Sequence, residues 1–450
     1  MKKVSVYMPG FFACLMVCWI ALSCNQANKK LPEDYELATA WADLTNFIAM
    51  TTPANSPTFA SRCLGYIGLT MYESVVPGYP GAQSVATQLN GLGALPQPEK
   101  GLSYNWQLAL NAGQAEILRS IYIQTSDQNK AKIDSLEQAF KTIYAEQAKD
   151  NAIVERSVAY GKNIAQLIFE WSKTDGGHRA YLRNFDKQLV FAEKPGSWKP
   201  PLFAQSFSHF PLHPHWGRNR TFLAVDSAIE PPVFIPYDTT PGSAYYQQFK
   251  QVYEKRKILT QDEKEAAIWW SDDPDVTFTP PGHSYYLATI AIRKTKPDLL
   301  KAAETYARMG MAVADAFRNC WKWKFEFFTE RANTFVPQHI DEHWESFWPD
   351  PPFPAFPSGH AIQAGAAATV LTSLYGDHFE FTDSAHVGRP KDEIRDTEFK
   401  ARHFNSFWEA AEETAMSRFY GGIHIPQDNE RGLEKGKIIG NNVNGLHWNK

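Results

Sequence analysis

Apolar residues recur at three- and four-residue steps over most of this chain, and that period selects helices over strands. It runs from Tyr35 to Thr52 and from Ser56 to Val75, where Ser56-Pro57 has the form of a helix N-terminus. It continues over Tyr104 to Tyr122, Asp127 to Ala148 and Ala152 to Trp171. It returns over Tyr245 to Trp270, His283 to Arg293 and Asp298 to Trp323, then across Phe404 to Phe419, with a last helix after Asp428. Alternation of period two is scarce. Between Gly176 and Pro241 the chain is rich in Pro, His and Trp without a sustained period, which reads as a long irregular segment lying over the helices. A second loop, of Pro and aromatic residues, is expected from Phe335 to Pro357. These patterns predict an all-α protein of helical bundles, two units of four-helix-bundle type, with long irregular loops. At 450 residues, 44% of them hydrophobic, the chain is long enough to bury a substantial core.

Behind Lys2 and Lys3, Phe11 to Leu22 is an unbroken apolar run, of signal-peptide length and too short to cross a hydrocarbon layer of ~30 Å. It ends at Ala21-Leu22-Ser23-Cys24, followed by polar residues to Lys30, and so resembles a bacterial lipobox with Ala21 where that motif usually has Leu. The implied organisation is a signal peptide over 1–23, Cys24 as the lipidated first residue of the mature chain, an N-terminal helical region over 24–300 and a C-terminal catalytic bundle over 301–450. Plain secretion is the alternative. The expected location is the periplasm or cell surface of a bacterial envelope, with the N-terminal lipid as the membrane attachment. Beyond Cys24 only Cys63 and Cys320 remain, too few for a disulfide framework; two buried thiols are favoured over one bridge. A net charge of -4 gives no long-range field to gather nucleic acid, so no such partner is expected and any anion must be caught by local cations.

Three blocks carry the chemistry. Pro357-Ser358-Gly359-His360 precedes a run of small residues from Ala361 to Ala368, so a loop ends where a helix begins; the free N–H groups and positive end of that helix can hold an oxyanion. Ser358 adds a hydroxyl donor and His360 an ionisable one. Alone, the tetrapeptide is equally an ordinary serine cap. Upstream, Lys324 and Arg331 stand seven positions apart, about two helical turns, which predicts both on one helix face. Downstream, Arg418 lies at a helix end, Gly421-Gly422 turns the chain, and His424 follows with Asp428 four positions on, in reach of the second imidazole nitrogen. Each block taken singly has a bland reading: a solvated cation pair, or a structural histidine.

The three blocks in this order resemble the signature of the superfamily that unites type 2 phosphatidic acid phosphatases, bacterial acid phosphatases and vanadium-dependent haloperoxidases. The resemblance implies that Lys324, Arg331 and Arg418 surround an oxyanion, with Ser358 and the Gly359 amide adding hydrogen bonds. Cations ~5 Å apart repel by roughly 3 kcal/mol per pair at an effective dielectric of 20, which an anion relieves. The Pro-aromatic run Pro351 to Phe356 before the serine block, and Trp321 before Lys324, look like the haloperoxidase branch. Likeness also runs through Pro195 to Trp198, His213 to Gly217 and Trp269 to Asp273, and is greatest to bacterial haloperoxidases and iodoperoxidases. That branch implies vanadate as cofactor, ligated axially by His424, with His360 moving protons, Lys324 polarising bound peroxide, and Trp321 and Phe353 shaping the halide site or simply packing the core. Hydrogen peroxide and halide, iodide or bromide, are then the reactants.

The alternative is an acid phosphatase of the same superfamily, with His424 as nucleophile, Asp428 orienting it and His360 as general acid. A third reading, a non-catalytic anion-binding protein, leaves the His360–His424 pair without a purpose. One position departs from the family: where Pro follows the arginine, this chain has Ala332, which puts the turn beyond Arg331 in question. Asp272 or Asp273 is a candidate partner for a site arginine, or a helix-end residue. His215, His283, His339, His343 and His403 lie outside the three blocks and are read as structural.

Overall fold

The computed structural model describes residues 31–450 apart from 192–193, 202 and 206–207. The signal-peptide and Cys24 expectations fall outside these residues. Thirteen α-helices account for most of what is described: α1 (Asp34–Thr51), α2 (Pro57–Glu73), α3 (Trp106–Ile121), α4 (Asp127–Ala148), α5 (Asn151–Ser172), α6 (Ala244–Lys257), α7 (Gln261–Trp269), α8 (Thr279–Thr295), α9 (Leu299–Phe327), α10 (Ala332–His339), α11 (Gly359–Tyr375), α12 (Phe407–Tyr420) and α13 (Pro426–Asn444). The one sheet among them is an antiparallel pair, β1 (Phe381–Asp383) and β2 (Arg402–Phe404), with Thr382 opposite His403. The all-α expectation holds. No described helix is long and apolar enough to cross a membrane.

The helices start where side chains can accept the free N–H groups of their first turns: Ser56, Asn105, Ser126, Ser243, Thr260, Asp298, Ser358 and Ser406 all do so. Four expectations need correction. The stretch Tyr245 to Trp270 is two helices, because Thr260 and Glu263 form a capping box that starts α7 afresh. Helix α8 opens at Thr279 rather than His283, since Pro280 and Pro281 fit a first turn, where N–H groups have no intrahelical partner. Helix α9 continues a turn beyond Trp323, and the loop expected from Phe335 opens instead with α10.

Helix α9 touches both halves of the molecule, packing on α2 on one side and on α11 on the other. A single apolar cluster accordingly runs from Leu37 to Trp448. The backbones of α2 and α9 cross closely: any side chain at Gly68 would run into the Tyr306 carbonyl, and any at Gly310 into that of Leu64. Around α11 stand α9, α12 and α13. Helices α11 and α13 also approach at backbone distance, since a methyl on Gly365 would sit 2.8 Å from the Leu433 carbonyl oxygen. That approach sets the beginnings of α11 and α13 side by side, and the Ser358 amide donates to the Asp428 carbonyl at 3.0 Å. The described residues of the irregular segment from Gly176 to Pro241 lie over this end. They pair with the chain after α9: Trp198 N–H donates to Phe328 O (2.8 Å), Glu330 N–H to Gly196 O (2.8 Å) and Leu212 N–H to Pro352 O (2.8 Å).

Candidate active site

Lys324 lies in the last turn of α9 and is fully buried. Phe328 ends that helix by turning left-handed, at φ 53°. Arg331 is therefore not on one helical face with Lys324, as the seven-residue spacing predicts; it is the extended N-cap of α10, at φ -109° and ψ 167°. The two cations meet all the same, because both reach the loop before Ser358. Lys324 Nζ donates to the carbonyls of Pro354 (2.8 Å) and Ala355 (2.5 Å). Arg331 donates from Nε to Phe353 (3.0 Å), from Nη2 to Pro354 (3.4 Å) and from Nη1 to Ile423 (2.7 Å).

Arg418, buried in the last turn of α12, meets the opposite end of another helix. Its Nη2 donates to Ala267 O (3.1 Å) and its Nη1 to Trp270 O (3.1 Å), carbonyls at the C-terminus of α7, where the helix dipole favours a cation. The Arg418 carbonyl in turn receives the amides of Ile423 (3.2 Å) and His424 (3.3 Å), so the Gly421-Gly422 turn, with Gly422 at φ 76°, returns His424 to the same arginine. His424 Nδ1 bonds Asp428 Oδ2 at 2.7 Å, as the four-residue spacing predicts, which leaves Nε2 as its reactive nitrogen. His360 Nε2 lies 3.4 Å from Arg418 Nη1, and its ring also hydrogen-bonds the Ser271 backbone. Ser358 caps α11, its Oγ accepting from Ala361 N–H at 3.3 Å. At Gly359 a Cβ would meet Trp321 at 3.7 Å and Cys320 at 3.9 Å, ordinary contacts, so packing alone does not demand glycine there.

All three cations are thus held by backbone carbonyls, and among the described residues none forms an ion pair with a carboxylate. Carbonyls orient a charge without cancelling it. Burial depresses Lys324, with repulsion from Arg331 adding to the effect, and brings Arg418 down to about 10. Burial also holds His424 and His360 well below their usual range; Arg331 and Lys324 push the first further down, and Arg418 the second. Both imidazoles are neutral at pH 7. Asp428 is pushed up by burial against the attraction of Lys324 and Arg331. The Arg418 Nε–H is buried without an acceptor. A tetrahedral oxyanion suits this donor set: it supplies acceptors for the lysine, two guanidinium groups, the serine hydroxyl and a helix N-terminus, and removes the uncompensated charge.

Trp321 and Phe353 lie beside the cations, their ring centroids 4.9 Å apart; Lys324 Nζ sits 5.9 Å from the first ring and 5.2 Å from the second, and the Arg331 guanidinium 5.3 Å from Phe353. Trp321 is buried, its N–H on the Leu212 carbonyl, whereas Phe353 keeps partial exposure. Neither Asp272 nor Asp273 ion-pairs with Arg418. Asp272 bonds His283 and His386 instead, and burial raises Asp273 to about 6. His215 pairs with Asp186, His339 packs tilted against the Phe335 ring, His343 is exposed beside Glu342 and His403 faces Thr382; none of them enters the site. Cys63 and Cys320 are separate buried thiols. Sequence reading missed the carbonyls of residues 267, 270, 353–355 and 423, which no side-chain pattern announces. It also missed His386, more than a hundred positions from its partners.

Comparison with known proteins identifies the fold and the family. The family model described as the second helical-bundle domain of VCPO matches residues 304–448. The vanadium chloroperoxidase of Curvularia inaequalis is 26% identical over 240 residues, 42% of this chain, and the match spans only 39% of that protein's length. A solved bacterial vanadium-dependent iodoperoxidase is 31% identical, with 94% of this chain and 99% of that one covered at a TM-score of 0.80. A holo-type bacterial vanadium-dependent chloroperoxidase, 15% identical, shares the fold at a TM-score of 0.69 over 93% of this chain and 98% of its own. Three buried cations around an Asp-fixed histidine, on a fold shared end to end with a solved relative at 31% identity, place this chain in the vanadium-dependent haloperoxidase family.

Proposed function

We propose that this protein is a vanadium-dependent haloperoxidase that oxidises iodide or bromide with hydrogen peroxide. The observation that carries the reading is the set of three buried cations, Lys324, Arg331 and Arg418, converging around His424 and, among the described residues, none of them in an ion pair with a carboxylate. These cations, Ser358 and the Gly359 amide would hold the oxygens of a bound vanadate, with His424 Nε2 as the nitrogen facing it. Vanadate, when bound, supplies the Lewis-acid centre that makes peroxide oxygen electrophilic toward a halide.

The protein's own part is to bind, orient and move protons. Asp428 fixes the His424 tautomer and directs Nε2 inward. His360, kept neutral by burial and by Arg418, would accept and release a proton at its ring beside incoming peroxide. Lys324, aimed by two carbonyls, places positive charge where negative charge develops. Trp321 and Phe353 give one wall of the site an apolar face beside that charge, a setting suited to a large, weakly hydrated halide.

The phosphatase alternative rests on the same His424–Asp428 pair, and the aromatic wall against Lys324 favours the peroxidase. Protein equilibrated with orthovanadate should oxidise iodide on addition of peroxide, and excess phosphate should suppress the reaction. No iodide oxidation together with rapid phosphate-ester hydrolysis would establish the phosphatase instead. The N-terminal sequence supports a further proposal, export as a lipoprotein through Cys24, which mass spectrometry of the purified mature chain would test.

A further inference from the structure

The groups that hold Arg418 and His360 are themselves held. Helix α7 ends at Trp269, and the next three residues form a turn in which Asp272 is left-handed, at φ 48°. The Trp270 carbonyl takes Arg418 and the Ser271 backbone takes His360. Asp272 then reaches away from the site. Its Oδ2 meets His283 Nδ1 at 2.8 Å and its Oδ1 meets His386 Nε2 at 2.9 Å. The other nitrogen of His283, Nε2, meets Asp383 Oδ2 at 2.8 Å, and Asp383 also receives Trp269 Nε1 (2.7 Å) and the Ala385 amide (2.9 Å). The Trp270 ring stacks on His283, centroids 4.5 Å apart. The side chains of Asp272, His283, His386, Asp383, Trp269 and Trp270 are all buried.

An imidazole with a carboxylate on each nitrogen must donate from both, which only the imidazolium can do. The cluster therefore carries two negative charges against one positive. Its residual negative charge attracts Arg418 from a distance without occupying the guanidinium edge. We propose that His283 is a positioning residue for the oxyanion site: bridging Asp272 and Asp383, it fixes the 270–272 turn whose carbonyls aim Arg418 and His360. The two carboxylates raise the imidazole to about 10, so the bridge persists through the neutral range. The donor atoms of Asp272, His283 and His386 lie within 4.8 Å of one another, close enough for a metal ion, but each already has a hydrogen-bond partner, and a shared proton accounts for the geometry.

This inference rests on the proposed oxyanion site, and two measurements separate its failure from the failure of that reading. The variants are His283→Gln and the milder Asp383→Asn, each checked by circular dichroism and by thermal midpoint without vanadate. By equilibrium dialysis with orthovanadate, both should bind at least about tenfold more weakly than wild type, as expected when an outer partner of an anion-binding group is removed. In vanadate-free protein, the His360 ring, followed by NMR with histidine-selective labelling, should titrate differently in the variants. Folded variants with wild-type vanadate affinity and an unmoved His360 titration would overturn the inference, as would failure of both variants to fold, which would assign the cluster to folding alone. One equivalent of chelator-removable zinc on the purified protein, lost in His283→Gln, would overturn it too. If wild type binds no vanadate, the oxyanion reading fails, and the His360 titration still decides the clamp.

Discussion

Replacing Lys324 by Met tests the argument that the site is built from uncompensated charge. Met has nearly the length and volume of the lysine stem, so the packing under Trp321 and Phe353 survives. For the anion, a unit charge ~5 Å from the centre of an oxyanion contributes roughly 3 kcal/mol per anionic charge at an effective dielectric of 20, and the lost charge-assisted hydrogen bond about 1.5 kcal/mol more. Vanadate affinity should therefore fall by at least two orders of magnitude, since 1.4 kcal/mol is about tenfold. For the vanadate-free fold the terms oppose. The bonds to Pro354 and Ala355 are lost at about 1 kcal/mol or more each, while a buried cation with no carboxylate partner is removed, a relief of several kcal/mol by its depressed pKa. The sum should leave vanadate-free stability within about 2 kcal/mol of wild type, and not far below it. Urea unfolding gives the second quantity and dialysis with orthovanadate the first. A variant that unfolds several kcal/mol early and yet binds vanadate normally would refute the reasoning, because Lys324 would then be a strut for the Pro354–Ala355 loop.

His424→Ala should abolish iodide oxidation and vanadate uptake while the protein stays folded; wild-type turnover would reject the assignment of His424 as the ligand. The depressed pKa values of His360 and His424 mean that the unfolded chain binds more protons than the folded one, so vanadate-free stability is fully present above about pH 6.5 and falls as the pH drops below it. An anion that binds only the folded state adds stability by mass action, so phosphate should lower the pH midpoint of acid unfolding; equal midpoints with and without phosphate would contradict that. Ala332→Pro should be neutral or stabilising by about 0.4 to 1 kcal/mol, because Ala332 is the first residue of α10 and Arg331 before it is already extended, as a pre-proline residue must be. A loss of more than 1 kcal/mol in urea unfolding would show that the buried methyl of Ala332 has no room to become a ring.

Much of the fold could be read from the chain because most helices here carry their own boundaries. Helix α4 spans the residues its period predicts, between Ser126 and a left-handed Lys149. Where reading failed, the deciding force was tertiary. Nothing local marks Phe328 as the end of α9; it turns left-handed because the next residues pair with Gly196 to Trp198, a segment more than 130 positions away. The break between α6 and α7 was marked, by Thr260 and Glu263, but the apolar period on either side masks it. Strands of three residues lie below what alternation can reveal. For the site, side chains that bear charge were legible and the carbonyls that aim them were not, since every residue owns a carbonyl. The Ala332 departure turns out to leave Arg331 well placed, because α10 supplies the turn that a proline would have stiffened.

The crossing of α2 and α9 has a consequence for how the reactive centre can be altered. Helix α9 is 29 residues long, about 43 Å, and its terminal turns bear both Trp321 and Lys324, while backbone contact at Gly68 and Gly310 locks its earlier turns. A helix this stiff transmits a shift at one end to the other. The lysine's coordinates are therefore inherited from a distant seam, and a substitution lining that seam would displace the buried charge without altering any side chain around it.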